Sequence, residues 1–291
     1  MKTLILLLLS CTATLLAAER QQVLIVTGEP EYGSATTLGR IGRILQDEHD
    51  LDVVHLRAEK QGETDHLPGL QKALAESDLL ILYLRFLILP EAQVTALADY
   101  MEKGGNYFAV RTSTHPFRYP AGHPLEEENE AFPLRFFGTP YRGHHGHQTS
   151  QVNSVMIARH PILRGVEPRF WTPDFVYGAN PLAGQVTPLV IGQALQGTGQ
   201  AELVSDLGEG FLQRNHCHIL AEKDATRLIG SPHPVVWTIA DFPGRGLVST
   251  IGARKSFDDP SVTRLFLNGA FWCLGREAEI PPAGLPIPPG N

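Results

Sequence analysis

The stretch Gly104-Gly105-Asn106-Tyr107-Phe108-Ala109-Val110-Arg111-Thr112-Ser113-Thr114-His115 carries the densest chemistry in the chain. A glycine pair leads into an apolar run, and polar residues follow at once. In an open α/β sheet this places Arg111 to His115 over the carboxyl edge, where ligands bind. Hydrolases with a nucleophile on the sharp strand-to-helix turn carry Ser or Cys there. This chain carries Arg111, which is permanently charged and cannot attack as a nucleophile. It suits a carboxylate, a phosphate or an oxygen-rich ligand, and equally a structural ion pair. Ser113 is a nucleophile by type, but no base stands beside it in the sequence.

A second cluster is Tyr141-Arg142-Gly143-His144-His145-Gly146-His147. Imidazoles ligate zinc, copper and nickel, yet no Asp or Glu directly flanks the loop. Acid/base work by His144 or His145 at near-neutral pH is the stronger reading, and no metal or cofactor is expected. Asn215-His216-Cys217-His218 holds two more histidines. On a strand they would share a face, but a full site needs further ligands, and a surface turn is the simpler reading. Asp258-Asp259-Pro260 is helix-start chemistry, with Asp259 as N-cap and Pro260 in the first turn. Glu126-Glu127-Glu128 reads as a solvated loop. Trp237 and Trp272 read as core, and Trp171 as a loop residue able to stack on a ligand.

These groups need a scaffold, and the first half of the chain spells one out. Gln22 to Gly28 is an apolar run ending in glycine, the pattern of a buried parallel strand. Thr37 to Gln46 has helical apolar spacing. Leu51 to His55 is a strand, Leu67 to Ala75 a helix and Asp78 to Leu84 a strand. A helix starts at Pro90 and ends at Gly104-Gly105, and Tyr107 to Val110 is the fourth strand. This alternation predicts an α/β fold: a three-layer open parallel sheet of flavodoxin-like order, with helices on both faces. Later strands are expected over Gln151 to Ala158, Thr187 to Ala194, Pro234 to Ala240 and Gly246 to Ile251. A closing helix is expected over Ser261 to Leu274.

Composition narrows the functional classes. The 291 residues are 43% hydrophobic and 19% charged, enough for one sizeable core. A net charge of −7 without a basic cluster argues against nucleic acid as a partner. At the N-terminus Lys2, the apolar Leu4 to Leu16 and Ala17-Ala18 form the pattern of a signal peptide over residues 1–18, implying a secreted or periplasmic protein. The apolar stretch is short for a membrane span, and Leu8-Leu9-Ser10-Cys11 is a loose lipoprotein pattern. Of the 3 cysteines, Cys11 lies in this segment. Cys273 reads as a small buried apolar residue, and a bridge to Cys217 is left open. A single domain is expected over 22–275, followed by a Pro/Gly-rich tail over 276–291 with an extended, mobile conformation.

The motifs, in their order and spacing, resemble the ThuA-like (trehalose utilisation) family of the class I glutamine amidotransferase-like superfamily. The resemblance rests on Thr27-Gly28, on Val110-Arg111-Thr112 with Thr114-His115-Pro116-Phe117, and on Phe137-Gly138 through His144-His145-Gly146. It continues in His160-Pro161-Ile162-Leu163 with Asp174-Phe175-Val176-Tyr177, in Gly244-Arg245-Gly246, in Phe257-Asp258-Asp259-Pro260 and in Leu267-Asn268-Gly269-Ala270-Phe271-Trp272. It implies the amidotransferase-like fold without amidotransfer, because no thiol stands at the turn. It implies a small carbohydrate ligand, a sugar or keto-sugar to be hydrolysed or isomerised. His115, His144 or His145 would be acid or base, and Arg111, Tyr141, Asp174 and Tyr177 would bind substrate. The chain departs from the family pattern at Phe175, where a glutamate is usual, at Ala253, where a histidine is usual, and at Arg111, where many members have histidine. Phe175 and Ala253 motivate an alternative, a sugar- or partner-binding module that has lost the chemistry. A metalloprotein is a third reading.

Overall fold

In the computed structural model, which describes residues 20–146, 150–196, 202–204, 219–221 and 227–288, the apolar runs form the strands of one sheet. β1 (Gln22–Gly28) lies between β2 (Asp52–Arg57) and β3 (Leu79–Leu84), parallel to both. All six β3 residues are buried, as expected of a strand covered on both faces. β4 (Asn106–Val110) extends the parallel set. The later strands are β5 (Ser150–Met156), β6 (Arg169–Thr172), β7 (Val186–Gln196), β8 (Arg227–Ile239) and β9 (Gly246–Ser249). The nine-stranded order is β2-β1-β3-β4-β9-β8-β7-β5-β6. Strand β9 is parallel to β4, whereas β8, β7, β5 and β6 each pair antiparallel with the strand before.

The fold is therefore α/β with the flavodoxin-like arrangement in its first half, but the sheet is mixed rather than all parallel. The expected alternation holds while helices separate the strands. It lapses from β5 onward, where strands follow one another without an α-helical crossover and pair antiparallel.

Helices fill both outer layers. α1 (Ser34–His49) and α5 (Pro260–Cys273) cover one face of the sheet, packing Leu38, Ile41, Phe266 and Phe271 on Val23, Ile25, Ile81 and Phe108. α2 (Leu70–Ala75), α3 (Glu91–Glu102) and α4 (Glu128–Phe137) cover the other, packing Leu74, Leu97, Phe132 and Phe136 on Leu24, Leu80 and Tyr107. α5 starts as its sequence predicts, with Asp259 accepting a hydrogen bond from Ser261 N at 2.8 Å and Pro260 opening the helix. α4 is an element that periodicity did not reveal. Its internal Pro133 reads as a breaker and its acidic start as a loop, although Glu128 and Glu130 suit the positive end of a helix.

Two expectations are corrected. Trp171 lies on β6 at the edge of the sheet, not in a loop. The tail packs: Ile280 and Leu285 are buried in the α1/α5 core, and Leu285 N–H donates to Asn268 Oδ1 at 3.0 Å. Asn268 in turn donates to Ile162 O and Arg164 O, so a motif residue clasps three segments. Trp237 is fully buried with its indole N–H on Phe137 O at 2.9 Å. Cys273 is a buried free thiol, as its neighbours suggest. The 1–18 segment, His147 and Asn215 to His218 with Cys217 lie outside the described residues. No helix among the described residues is long and apolar enough to cross a membrane.

Candidate functional site

β4 runs straight into the polar turn, and Arg111 takes up a left-handed conformation, φ 48°. The turn thus has the sharp geometry of a nucleophile elbow with an arginine on it. Left-handed backbone is costly for a residue with a Cβ and collects at functional sites. Phe86, just past the end of neighbouring β3, has φ 55°. Two strained residues therefore overlook the same carboxyl edge.

The Arg111 guanidinium forms an ion pair with Asp174, and both are buried. Its Nη1 also donates to Thr250 O at 3.3 Å. Asp174 accepts from Ala253 N at 3.2 Å, Gly252 N at 3.4 Å and Ser256 Oγ. Burial opposes the charge on Arg111, but Asp174 and the surrounding tyrosines more than offset it, holding its pKa above the ordinary arginine value. Rings wrap the cation: Tyr32 at 4.2 Å from the ring centroid, Tyr177 at 5.3 Å and Phe175 at 5.7 Å.

His115 ends the same turn. Its ring packs against Tyr141 at 4.4 Å, Phe86 at 5.0 Å and Tyr177 at 5.8 Å. Burial, then Arg85, Arg111 and Arg118, push its pKa down to about 3, so it is neutral at physiological pH. The short strand His144–His145 pairs antiparallel with Val176–Tyr177. Successive strand residues face opposite ways. His144 meets the Tyr141 hydroxyl through Nδ1 and stacks on Phe175 at 4.7 Å. His145 instead stacks on His233 at 5.4 Å.

Arg111, His115, Tyr141, His144, Asp174 and Tyr177 thus gather in one place, although the first and the last of them stand 66 positions apart in the chain. His145 does not join them, because the pleat turns it away. Arg111 and Asp174 lie beneath the surface, and the solvent-facing rim is Tyr32, Tyr141, His144 and Phe175. Tyr32 and Phe86 escaped the sequence reading; only the lone aromatics after β1 and β3 signalled them. Ser113 is spent on the backbone, donating to Leu82 O at 2.9 Å and accepting from Leu84 N at 3.1 Å. No group of three metal-ligating side chains occurs among the described residues.

A family model described as ThuA, trehalose utilisation, matches residues 22–273. Among solved structures, a thua-like protein from Bacteroides uniformis superposes with a TM-score of 0.58 at 13% identity, covering 92% of this chain and 97% of its own. A thua-like protein from Parabacteroides merdae gives 0.55 at 15% identity, covering 88% and 90%. At these identities the likeness is one of fold. No curated protein matches the chain.

Proposed function

The chain belongs to the ThuA (trehalose utilisation) family, and from that premise we propose that it is an exported protein that binds a sugar or keto-sugar at the crevice above Arg111. Family membership supports a carbohydrate-related role. The observation that carries the ligand assignment is the rim of half-exposed aromatics around a buried cation. Sugars present apolar C–H faces and polar edges, which amphipathic rings and imidazoles match. The Arg111–Asp174 pair acts from below, fixing Tyr32, Tyr177 and the 250–256 loop, while Tyr32, Tyr141, His144 and Phe175 touch the ligand.

If the bound sugar is hydrolysed or isomerised, His144 is the group placed to move a proton. His115, whose pKa burial and the nearby arginines push down to about 3, is a weak base and serves as a hydrogen-bond acceptor. His144, coupled to the Tyr141 hydroxyl, serves as the exchangeable donor. One observation favours the non-catalytic alternative: Asp174 and Ser113 have their oxygens committed to neighbouring donors and acceptors, leaving neither as base or nucleophile.

Calorimetry with trehalose, related disaccharides and their 3-keto forms tests both readings. Binding is expected for at least one of them, weakened about tenfold or more in His144→Ala and Tyr141→Ala without loss of Tm. Product formation from the bound sugar selects catalysis, and binding without product selects the module. Absence of heat with every sugar, or unaltered affinity in both variants, overturns the assignment.

A further inference from the structure

A separate cavity of about 420 Å³ opens at the carboxyl ends of β1 and β3. This is where the sheet order reverses, since β1 connects outward to β2 and β2 crosses back to β3. Such a reversal parts the loops and leaves a crevice. The walls are the β1–α1 loop, the segment after β2 and the segment after β3. Their charged members are Glu29, Arg57, Lys60, Asp65 and Arg85.

The acids are already occupied. Asp65 holds Lys60 Nζ at 2.9 Å and accepts from Ile88 N at 2.8 Å. Glu29 turns back into its own loop, accepting from Tyr32 N at 2.7 Å and Ser34 N at 3.4 Å. Burial raises the Glu29 pKa above the ordinary carboxylate value, against the backbone hydrogen bonds and Arg85, which lower it. The cations retain capacity. Arg57 has neither an ion pair nor a hydrogen bond among the described residues. Arg85 pairs with Glu31 through Nη1 but keeps a buried Nε–H without an acceptor. α1 begins at this wall with no acidic residue in its first turn and no capping side chain. Gly28 lies on the floor, where a Cβ would fall 2.6 Å from Leu87 Cδ1 and require that side chain to shift.

We propose that this cavity binds the phosphate or carboxylate group of a small polar metabolite, with Arg57 and Arg85 as its anion contacts. Arginine forks fit both oxyanions, and the volume accommodates a phosphosugar or a sugar acid. The site is distinct from the aromatic crevice, from which Arg85 and Phe86 divide it. It stands whether or not that crevice takes a sugar.

The test is calorimetry and thermal shift of the full chain with inorganic phosphate, glucose 6-phosphate, gluconate and glucose. An anionic probe is expected to bind and raise Tm, with neutral glucose inert at this cavity. Arg57 is exposed, so Arg57→Gln should fold normally and weaken the anion about tenfold. His144→Ala should leave anion affinity unchanged while impairing the crevice. Preference between glucose 6-phosphate and gluconate identifies the oxyanion. The proposal is overturned if no anion binds, if Arg57→Gln binds as tightly as the wild type, or if His144→Ala abolishes anion binding.

Discussion

Arg111 and Asp174 stand 63 positions apart in the chain and meet as an ion pair with 1% and 0% of their side chains exposed. Removing two charges from water is expensive, and the cost is recovered only where the remaining valences are filled. Asp174 fills its own with Gly252 N, Ala253 N and Ser256 Oγ. The pair thereby joins the β4 turn, the segment before Val176 and the loop after β9 into one floor beneath the aromatic rim.

Breaking this pair leaves a lone buried charge, so Arg111→Met and Asp174→Leu alone should each lose about 3–5 kcal/mol in urea unfolding. The double variant should recover much of that loss, because no charge is stranded. A double variant as unstable as the sum of the singles would show that the cost lies in packing instead.

His115 gives a pH signature. Its pKa is near 3 when folded and about 6.5 when unfolded. Above the unfolded value both states are neutral and the contribution is complete. As pH falls from 6.5 toward 3, the unfolded chain takes the proton first and stability drops. His55, lowered to about 4 by burial and by Arg57, acts in the same direction. Urea unfolding between pH 6 and 4 should therefore show a slope shallower by up to about 1.4 kcal/mol per pH unit in His115→Phe than in the wild type. Parallel slopes would mean that His115 titrates freely in the folded protein.

The parallel half of the fold was legible because each strand there is a continuous apolar run closed by a polar turn, as in Leu79–Leu84. In the antiparallel half β5, β7 and β8 were legible as strands but β6 was not, and their pairing was not, since these runs carry no signal of their neighbours. The site was legible where motif residues end strands, as Arg111 and His115 do. It failed at His145, because a run of adjacent histidines conceals that one faces the crevice and the next faces His233. It failed again for the depth of Arg111. Residue type identified a cation able to hold a ligand but not that it is buried, paired with Asp174 and ringed by Tyr32, Phe175 and Tyr177. The tail misled by composition: its prolines and glycines suggested mobility, yet Ile280 and Leu285 reach the core.

Asn268 tests that clasp. It is fully buried and bonds Ile162 O at 3.0 Å, Arg164 O at 2.9 Å and Leu285 N at 3.0 Å. Asn268→Ala orphans two carbonyls and one N–H, and should cost about 2–3 kcal/mol. The Leu285 amide should also exchange with deuterium much faster than in the wild type. Unchanged protection at Leu285 would show that apolar burial alone holds the tail.

Ser113 sits two residues past the elbow, near the place of a nucleophile, but its hydroxyl ties the turn to β3. It donates to Leu82 O and accepts from Leu84 N, both in β3, and its side chain is 1% exposed. A hydroxyl holding a buried N–H cannot swing out to attack a carbonyl without orphaning that donor. Ser113→Ala should therefore destabilise the protein by about 1–3 kcal/mol while leaving sugar affinity, and turnover of any sugar that is processed, within a factor of two. Mass spectrometry after exposure to a fluorophosphonate should find Ser113 unmodified in the folded protein. A covalent adduct on Ser113, or loss of turnover at undiminished stability, would restore it as a nucleophile and remove the histidines from that role.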